Sequence, residues 1–185
     1  MSLFPKPYAD LVARFRVTTG FLLAAAFAWF SRPDPRSLAV GLPLSALGLL
    51  LRAWAAGHLE KDRHLAVSGP YAHVRNPLYL GTLLVAAGLV IASRRWLLAA
   101  LFALVFALIY LPAVELEEQH LRDLFPKFAD YERDVRPFWP RWKIAGTSQS
   151  FRWSLYVRNR EYQALLGFVA GAAVLVVKLL VFPAR

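Results

Sequence analysis

A polar segment between two apolar runs contains the residue types best suited to bind a charged ligand. It extends from residue 61 to residue 79 and reads KDRHLAVSGPYAHVRNPLY. Asn76 and Pro77 favour a helix start, because Asn is a common N-cap and Pro loses nothing at the first helical position. Arg75 lies beside the N–H groups of that helix end, a combination typical of an anion-binding site. The alternative interpretation is a basic loop that only fixes the orientation of the protein in a membrane.

A second group of titratable residues follows a later apolar run, in the sequence PAVELEEQHLRDLF. Glu117 and Glu118 are adjacent, so on a helix their side chains point about 100° apart and cannot both contact one ligand atom. Glu118 lies four residues before Arg122, and a solvated ion pair between them would contribute only about 0.3 kcal/mol. If Glu118 instead faces the first segment, it can bind an ammonium group.

The apolar runs between these two groups bring them together. Residues 78–93 and 96–114 can each cross a membrane, and only Arg94 and Arg95 separate them. The sequence therefore predicts an antiparallel helical hairpin whose first and last residues lie on the same face of the membrane. In this topology residues 76–79 and 115–118 are neighbours, which favours the functional interpretation of both groups.

A ligand that fits this pair of segments carries both signs of charge. Arg75 and the helix N-terminus suit a carboxylate, and Glu118 suits an ammonium. Tyr71 and Tyr79 offer aromatic faces to a base or a cation. S-adenosylmethionine has all of these parts, namely a carboxylate, an amine, a sulfonium and an adenine. The residues permit this ligand without requiring it.

The whole chain has the composition of a membrane protein. Of its 185 residues 58% are hydrophobic, compared with roughly 45–50% in soluble domains. We predict an all-α integral membrane protein with about five transmembrane helices and a cytoplasmic cofactor pocket. The predicted spans are residues 11–30, 38–57, 78–93, 96–114 and 164–182. A cleaved signal peptide is the alternative interpretation of the first span, although no clear cleavage site precedes SRPDPRS.

The second predicted span contains several residues that bear on packing. Gly41, Ser45 and Gly48 allow another helix to approach closely, and Pro43 predicts a kink. Arg52 is costly to place inside a bilayer unless it faces a cavity, a partner or the interface. Of these, we favour a side chain that reaches the headgroup region from near the helix end. The aromatic residues predicted to form a belt at the membrane surface are Phe138, Trp139, Trp142 and Trp153.

The composition also excludes several classes of site and partner. Cysteine is absent and the four histidines are scattered, so we predict no disulfide and no metal site. The formal net charge is +10. In a chain this apolar, anionic lipid headgroups rather than nucleic acid are the expected partner. A soluble Rossmann-type enzyme is excluded, because the sequence has no strand–helix alternation and no Gly-rich loop after a strand.

The distribution of Lys and Arg predicts the orientation in the membrane. Fifteen of them fall in the N-terminal segment, the central loop and residues 115–163, whereas the opposite connections and the C-terminus hold five. By the positive-inside rule, we expect a multi-pass protein of the inner or cell membrane whose N-terminus and active site are cytoplasmic.

Two motifs in this chain resemble those of a known family. GPYAHVRNPLYLG, followed one hairpin later by ELEEQHLRDLFPKFADYERDV, resembles the integral-membrane methyltransferases that include isoprenylcysteine carboxyl methyltransferases and phospholipid N-methyltransferases. The resemblance covers about residues 57–140. It implies S-adenosylmethionine as the methyl donor, bound between the central loop, the start of the third span and the EE segment.

The resemblance also implies which residues bind the donor and which take part in catalysis. The donor-binding residues are Lys61 (the loosest match), His64, Leu65, Ala66, Tyr71, Asn76, Pro77, Leu78, Tyr79 and Glu118. The residues expected to take part in catalysis are Glu117, Glu118 and Arg75. We expect Glu118 to bind the donor amine and Glu117 or Glu115 to orient or deprotonate an acceptor amine. Methyl transfer from a sulfonium is an in-line displacement, in which positioning and exclusion of water contribute most.

Two positions depart from the family pattern. Asn76 stands where the carboxyl methyltransferases commonly have His, which keeps the N-cap but removes a titratable ring. Val114 lies four residues before Glu118, where those enzymes have an Arg thought to hold the substrate carboxylate. An amine headgroup or another small lipophilic acceptor is therefore favoured over a prenylcysteine carboxylate.

These observations predict one membrane domain over residues 1–185, with a cofactor-binding core at 57–140 and an interfacial segment and last membrane helix at 141–185. The predicted reaction is transfer of a methyl group to a lipid or another lipophilic molecule. The RNRE sequence at 158–161 would cover the site or, as favoured, anchor the chain at the membrane surface. The alternatives are a reductase-like relative with a nicotinamide cofactor, and a non-enzymatic transport or assembly protein.

Overall fold

The computed structural model describes residues 5–141 and 149–181, and every regular element within these ranges is helical. The α-helices are α1 (Lys6–Phe30), α2 (Pro35–Ala56), α3 (Pro77–Ser93), α4 (Trp96–Val105), α5 (Leu111–Leu124), α6 (Phe128–Asp134), α7 (Trp153–Arg158) and α8 (Tyr162–Val181). A short 3-10 helix spans Gly69–Ala72, and a π-helical turn at Phe106–Tyr110 joins α4 to α5. Trp142 of the predicted aromatic belt and Phe182 of the last predicted span lie outside the described residues.

Within the described residues, three helices are long and apolar enough to cross a membrane, namely α2, the continuous helix Trp96–Leu124 and α8. Thr18–Phe30 within α1 and the whole of α3 are shorter apolar helices. The predicted all-α integral membrane fold is thus confirmed. The fourth apolar run, however, stays helical as far as Leu124, beyond its predicted end at residue 114. Residues 115–118 therefore lie inside a helix, which fixes the directions of their side chains.

Helices α2 and α3 pack together through small residues, as Gly41, Ser45 and Gly48 predicted. A Cβ atom on Gly88 would overlap the carbonyl oxygen of Gly41, and one on Gly48 would lie 2.6 Å from the carbonyl oxygen of Gly81. The Ser45 hydroxyl donates to the carbonyl of Val85 at 2.9 Å. The two backbones can approach this closely only because no side chain stands between them.

We expect Gly88→Ala to destabilise the folded protein by about 1–3 kcal/mol, because the added methyl overlaps backbone of α2 and forces the helices apart. Thermal unfolding in detergent measures the effect. Gly167→Ala is the matched control, since no heavy atom lies within 4 Å of a Cβ built at Gly167. Equal melting temperatures for the two variants would contradict the close packing of α2 and α3.

Helix α2 is continuous through Pro43, and the kink expected there stays a prediction. The prediction for Arg52 needs correction. Arg52 was expected to extend toward the headgroups, and this is wrong. Its guanidinium turns inward and forms an ion pair with Glu161, with Nε 2.6 Å from Oε1. A carboxylate contributed by a segment more than one hundred residues away satisfies the charge inside the protein.

The predicted hairpin of α3 and α4 is confirmed. Arg94 adopts a left-handed conformation, with φ of 54°, and its N–H donates to the carbonyl of Ile91 at 3.2 Å. Its guanidinium also pairs with Asp34 at 2.6 Å, which ties the turn to the N-cap of α2. Because the turn is so short, the start of α3 and the middle of α5 lie at the same end of the bundle.

Candidate functional site

A cleft of about 180 Å³, partly open to solvent, lies at that end of the bundle. Its walls come from the loop between α2 and α3, the first turn of α3, and helices α5 and α6. Except for Glu115, the alternative to Glu117, all residues predicted to form the site line this cleft: Lys61, His64, Leu65, Ala66, Tyr71, Arg75, Asn76, Pro77, Leu78, Tyr79, Glu117 and Glu118. The predicted convergence of residues 76–79 with residues 115–118 is therefore confirmed.

The centre of the site is a buried ion pair between Arg75 and Glu118, whose side chains are 7% and 9% exposed. Arg75 Nε donates to Glu118 Oε1 at 2.8 Å, and one terminal nitrogen donates to Oε2 at 3.0 Å. Asn76 Nδ2 also donates to Oε1 at 2.8 Å. This two-pronged geometry is the strongest form of an Arg–carboxylate contact.

The pairing changes how Asn76 and Arg75 are interpreted. Asn76 occupies the N-cap position of α3, but its side chain makes no capping bond and binds Glu118 instead. Arg75 uses its remaining donors on the carbonyls of Glu132 at 3.1 Å and Val135 at 3.4 Å. Its guanidinium is thus occupied by protein groups rather than directed at a ligand carboxylate.

Sequence spacing suggested an ion pair between Glu118 and Arg122. In the structure this is a long contact, with 3.8 Å between a terminal nitrogen of Arg122 and Glu118 Oε2. Arg122 instead binds Glu132 with two bonds, of 2.6 and 2.9 Å. These bonds are the main reason that the pKa of Glu132 lies below its ordinary value. Arg75, Arg122, Glu118 and Glu132 together form a network whose formal charges cancel.

Glu117 is the exposed carboxylate of the pair and lies outside this neutral network. The Tyr79 hydroxyl donates to Glu117 Oε2 at 3.0 Å, which links the first turn of α3 to α5. The Tyr79 ring meets Tyr110 edge-on, with ring centroids 6.4 Å apart. Glu115 does not line the cleft, and its oxygen lies 3.4 Å from Gln119 Nε2 on another face of α5.

Tyr71 lies at the cleft with its side chain almost entirely buried. Its hydroxyl has no hydrogen-bond partner within the described protein, and burial raises the pKa of Tyr71 well above its ordinary value. The carbonyl of Tyr71 accepts a bond from the Tyr131 hydroxyl at 2.8 Å. An unpaired buried hydroxyl is costly, so its position beside a cleft indicates a place for a polar ligand atom.

The cleft also contains residues that the sequence did not predict: Leu59, Asp62, His120, Leu121, Phe125, Phe128 and Tyr131. His120 and Leu121 follow Glu117 by three and four residues, so helical spacing alone places them on its face. His120 Nε2 lies 3.1 Å from Asp62 Oδ1, across the mouth of the cleft. Tyr131 carried no such signal, because it comes from a separate helix.

The part of the chain that the structure describes contains no group of three or more His, Asp or Glu side chains that could hold a metal ion. Arg75, Asn76, Tyr79, Glu117 and Glu118 bind one another around the cleft, whereas the buried hydroxyl of Tyr71 lacks a partner among the described residues. The arrangement is chemically suited to an organic ligand that is partly polar and partly aromatic.

Comparison with known proteins gives a family and two relatives. The sequence profile of the phospholipid methyltransferase family matches residues 37–127. The chain is 33% identical to the cobalt-zinc-cadmium resistance protein CzcN of Cupriavidus metallidurans, over 78% of this chain and 69% of that protein. It is 31% identical to the nickel-cobalt-cadmium resistance protein NccN of Alcaligenes xylosoxydans xylosoxydans, over 80% and 75%. No solved structure matches.

Proposed function

Because the chain belongs to the phospholipid methyltransferase family of integral-membrane proteins, we propose that it transfers a methyl group from S-adenosylmethionine to a lipophilic acceptor. The observation that carries the proposal is the meeting of both halves of the family motif in one cleft. Residues 76–79 and the pair Glu117–Glu118 come from different helices, yet all of them line the same space.

The residues present fit such a donor. Tyr71 supplies an unpaired hydroxyl, and Leu65, Ala66 and Phe128 supply apolar parts of the lining. When bound, the donor supplies an electrophilic methyl group on a positively charged sulfonium.

We assign the acceptor amine to Glu117 and one hydrogen bond of the donor ammonium to Glu118. A carboxylate has about four acceptor positions. Glu118 already accepts three hydrogen bonds from Arg75 and Asn76, so it can accept about one more. Glu117 is exposed, lines the cleft and accepts the hydrogen bond of the Tyr79 hydroxyl. Arg75 would then hold Glu118 and the first turn of α3 in place, as a positioning residue.

The acceptor would approach from the bilayer with its reactive group at Glu117 and Tyr79. Val114, at the position where carboxyl methyltransferases have an Arg, is buried and offers no charge to a substrate carboxylate. We therefore favour an acceptor with an amine headgroup, which Glu117 could orient or deprotonate.

The proposal includes one membrane domain with its cleft on the cytoplasmic side. The excess of Lys and Arg on the side of the cleft supports this orientation. Because the chain contains no cysteine, a single Cys at the exposed position of Arg63 would report it. The Cys should react with a membrane-impermeant reagent only in inverted vesicles.

The direct test is incubation of the purified protein with donor labelled in its methyl group and a total lipid extract. Label in aminophospholipids supports an amine acceptor, and label in prenyl lipids moves the assignment to that class. No labelled lipid, together with no calorimetric binding of the donor or of S-adenosylhomocysteine, overturns the proposal.

Tyr71→Phe should separate ligand binding from stability. Removing a buried hydroxyl that has no partner should leave the melting temperature unchanged or raise it. If a bound ligand provides that partner, S-adenosylhomocysteine should bind roughly tenfold more weakly, as measured by calorimetry.

Tyr131→Phe is the matched control for that substitution. It removes a bond that the protein itself makes, to the carbonyl of Tyr71, and should therefore lower the melting temperature. Unchanged affinity in Tyr71→Phe would show that its hydroxyl does not face the ligand.

A second candidate function comes from the two relatives, whose names assign them to resistance against cobalt, cadmium and other metal ions. In that case the protein would protect cells against such ions. Sensitivity of a deletion strain to cobalt, zinc and cadmium tests this. Complementation by the wild type but not by Glu117→Gln would join the two functions, whereas equal complementation would separate resistance from methyl transfer.

A further inference from the structure

The sequence Arg158–Asn159–Arg160–Glu161, here called the RNRE segment, links α7 to α8 and lies beyond the residues that match the family. None of the four residues lines the cleft. The favoured expectation was an anchor at the membrane surface. In the structure, however, the side chains of Arg158, Asn159 and Glu161 bind the protein itself.

Asn159 binds the end of α2. Its Nδ2 donates to the carbonyl oxygens of Ala56 and Leu59, both at 2.9 Å. The last carbonyls of a helix have no partner within the helix, and a side-chain donor here satisfies them. Leu59 begins the loop that forms one wall of the cleft, so Asn159 fixes where that wall starts.

Glu161 acts on the opposite wall through Arg52. The carboxylate is 8% exposed and accepts two bonds from Arg52, of 2.6 and 2.9 Å. The other terminal nitrogen of Arg52 donates to the carbonyl of Leu78 at 3.1 Å and to the hydroxyl of Thr82 at 2.5 Å. Leu78 lies in the first turn of α3 and lines the cleft. Glu161 therefore fixes the direction of the side chain that holds this turn.

Arg158 makes the third contact of the RNRE segment, an ion pair with Glu60, the residue before Lys61. Its guanidinium lies 3.1 Å from one Glu60 oxygen, and Arg152 lies 2.7 Å from the other. Hydrogen bonds from Arg152 and then from Arg158 lower the pKa of Glu60 to about 2. This contact is thus fully formed above pH 4.5 and is lost only as the pH falls toward 2.

We propose that the RNRE segment is a positioning clamp that sets the distance between the two walls of the donor cleft. Asn159 and Arg158 hold the loop wall, and Glu161 holds the start of α3 through Arg52. The role of the clamp in donor binding rests on the proposed function. The clamp itself is a statement about geometry and can be tested without any ligand.

The natural absence of cysteine allows a direct measurement of the cleft width. Spin labels at Arg63→Cys and Asp123→Cys, exposed positions on the loop and on α5 outside the cleft lining, report the distance across its mouth. Helix α5 follows the start of α3, because Asn76 and Tyr79 bind Glu118 and Glu117. The clamp predicts a narrow distance distribution in the otherwise unchanged protein. Asn159→Ala and Glu161→Gln should each broaden it, and each should weaken S-adenosylhomocysteine binding roughly 10- to 100-fold.

Arg160→Gln is the matched control from the same segment. Arg160 is exposed, and its side chain makes no hydrogen bond or ion pair with a described residue. It should leave both the distance distribution and the affinity unchanged. An equal effect in Arg160→Gln would overturn the clamp in favour of a general requirement for positive charge at the membrane surface.

The remaining outcomes also decide the proposal. If Glu161→Gln fails to fold because Arg52 loses its partner, Asn159→Ala leaves no buried charge behind and still carries the test. Unchanged distances in folded Asn159→Ala would overturn the clamp. Failure of the unaltered protein to bind S-adenosylhomocysteine would instead count against the proposed function, while the distances alone would still confirm or overturn the clamp.

Discussion

Replacing Glu118 by alanine is expected to abolish donor binding and to destabilise the folded protein by about 3–5 kcal/mol. The substitution leaves the guanidinium of Arg75 buried without its carboxylate. It also removes the acceptor for Asn76 Nδ2. The loss is large because the buried charge of Arg75 then keeps only a longer contact with the carboxylate of Glu132, at 3.5 Å.

Thermal unfolding in detergent and calorimetry with S-adenosylhomocysteine measure these two effects. The matched control is Asp130→Ala, which breaks an ion pair of 3.5 Å whose side chains are both more than three-quarters exposed. An exposed pair of this kind should contribute less than about 1 kcal/mol. If Glu118→Ala melts like the control and binds the ligand normally, the buried pair does not organise the site.

Glu118→Gln distinguishes charge from shape at the same position. The amide keeps the volume and one acceptor oxygen, so Asn76 or one Arg75 nitrogen can still bind it. The charge of Arg75 then has Glu132 as its next carboxylate, 3.5 Å away. We expect a stability between those of the wild type and Glu118→Ala, and the same ordering of affinities.

The general position of the site follows from the sequence because it depends on topology alone. Two apolar runs of similar length joined by Arg94 and Arg95 must return the chain to the face from which it came. Residues 76–79 and 115–118 meet for that reason, whichever way the individual side chains turn. Family motifs then add the loop residues, including Tyr71, which spacing alone does not reveal.

The pairing inside the site could not be predicted in the same way. Glu118 has Arg122 one helical turn away, and sequence spacing favours that pair over Arg75. The fold decides otherwise, because Arg75 enters from the start of α3 and is enclosed by the carbonyls of Glu132 and Val135. Contacts of this kind depend on the angle at which the segments meet.

The contacts of the RNRE segment could not be predicted from the sequence either, because they join residues that are far apart in the chain. Arg52 and Glu161 are separated by 109 positions, and each alone has the character of a charged residue near a membrane surface. Only the docking of the segment between α7 and α8 against α2 reveals that they satisfy each other. The small residues of α2, in contrast, could be recognised from the sequence. Two helix backbones can approach closely only if a small residue stands at each contact along the helix.

Glu117→Gln is expected to reduce methyl transfer about 10²-fold while leaving the melting temperature within error of the wild type. Glu117 is exposed and lies outside the buried network, so its charge contributes little to folding. Its carboxylate is, however, in place to bind an ammonium group or to accept a proton from an acceptor amine. Initial rates with labelled donor and a lipid extract measure the effect.

Glu115→Gln is the control on the same helix, because Glu115 does not line the cleft. Tyr79→Phe, which removes the bond to Glu117, should give a smaller loss of rate in the same direction. If Glu117→Gln and Glu115→Gln transfer methyl groups equally fast, the charge at Glu117 has no part in the reaction, and the acceptor must be oriented by the neutral groups around Tyr79.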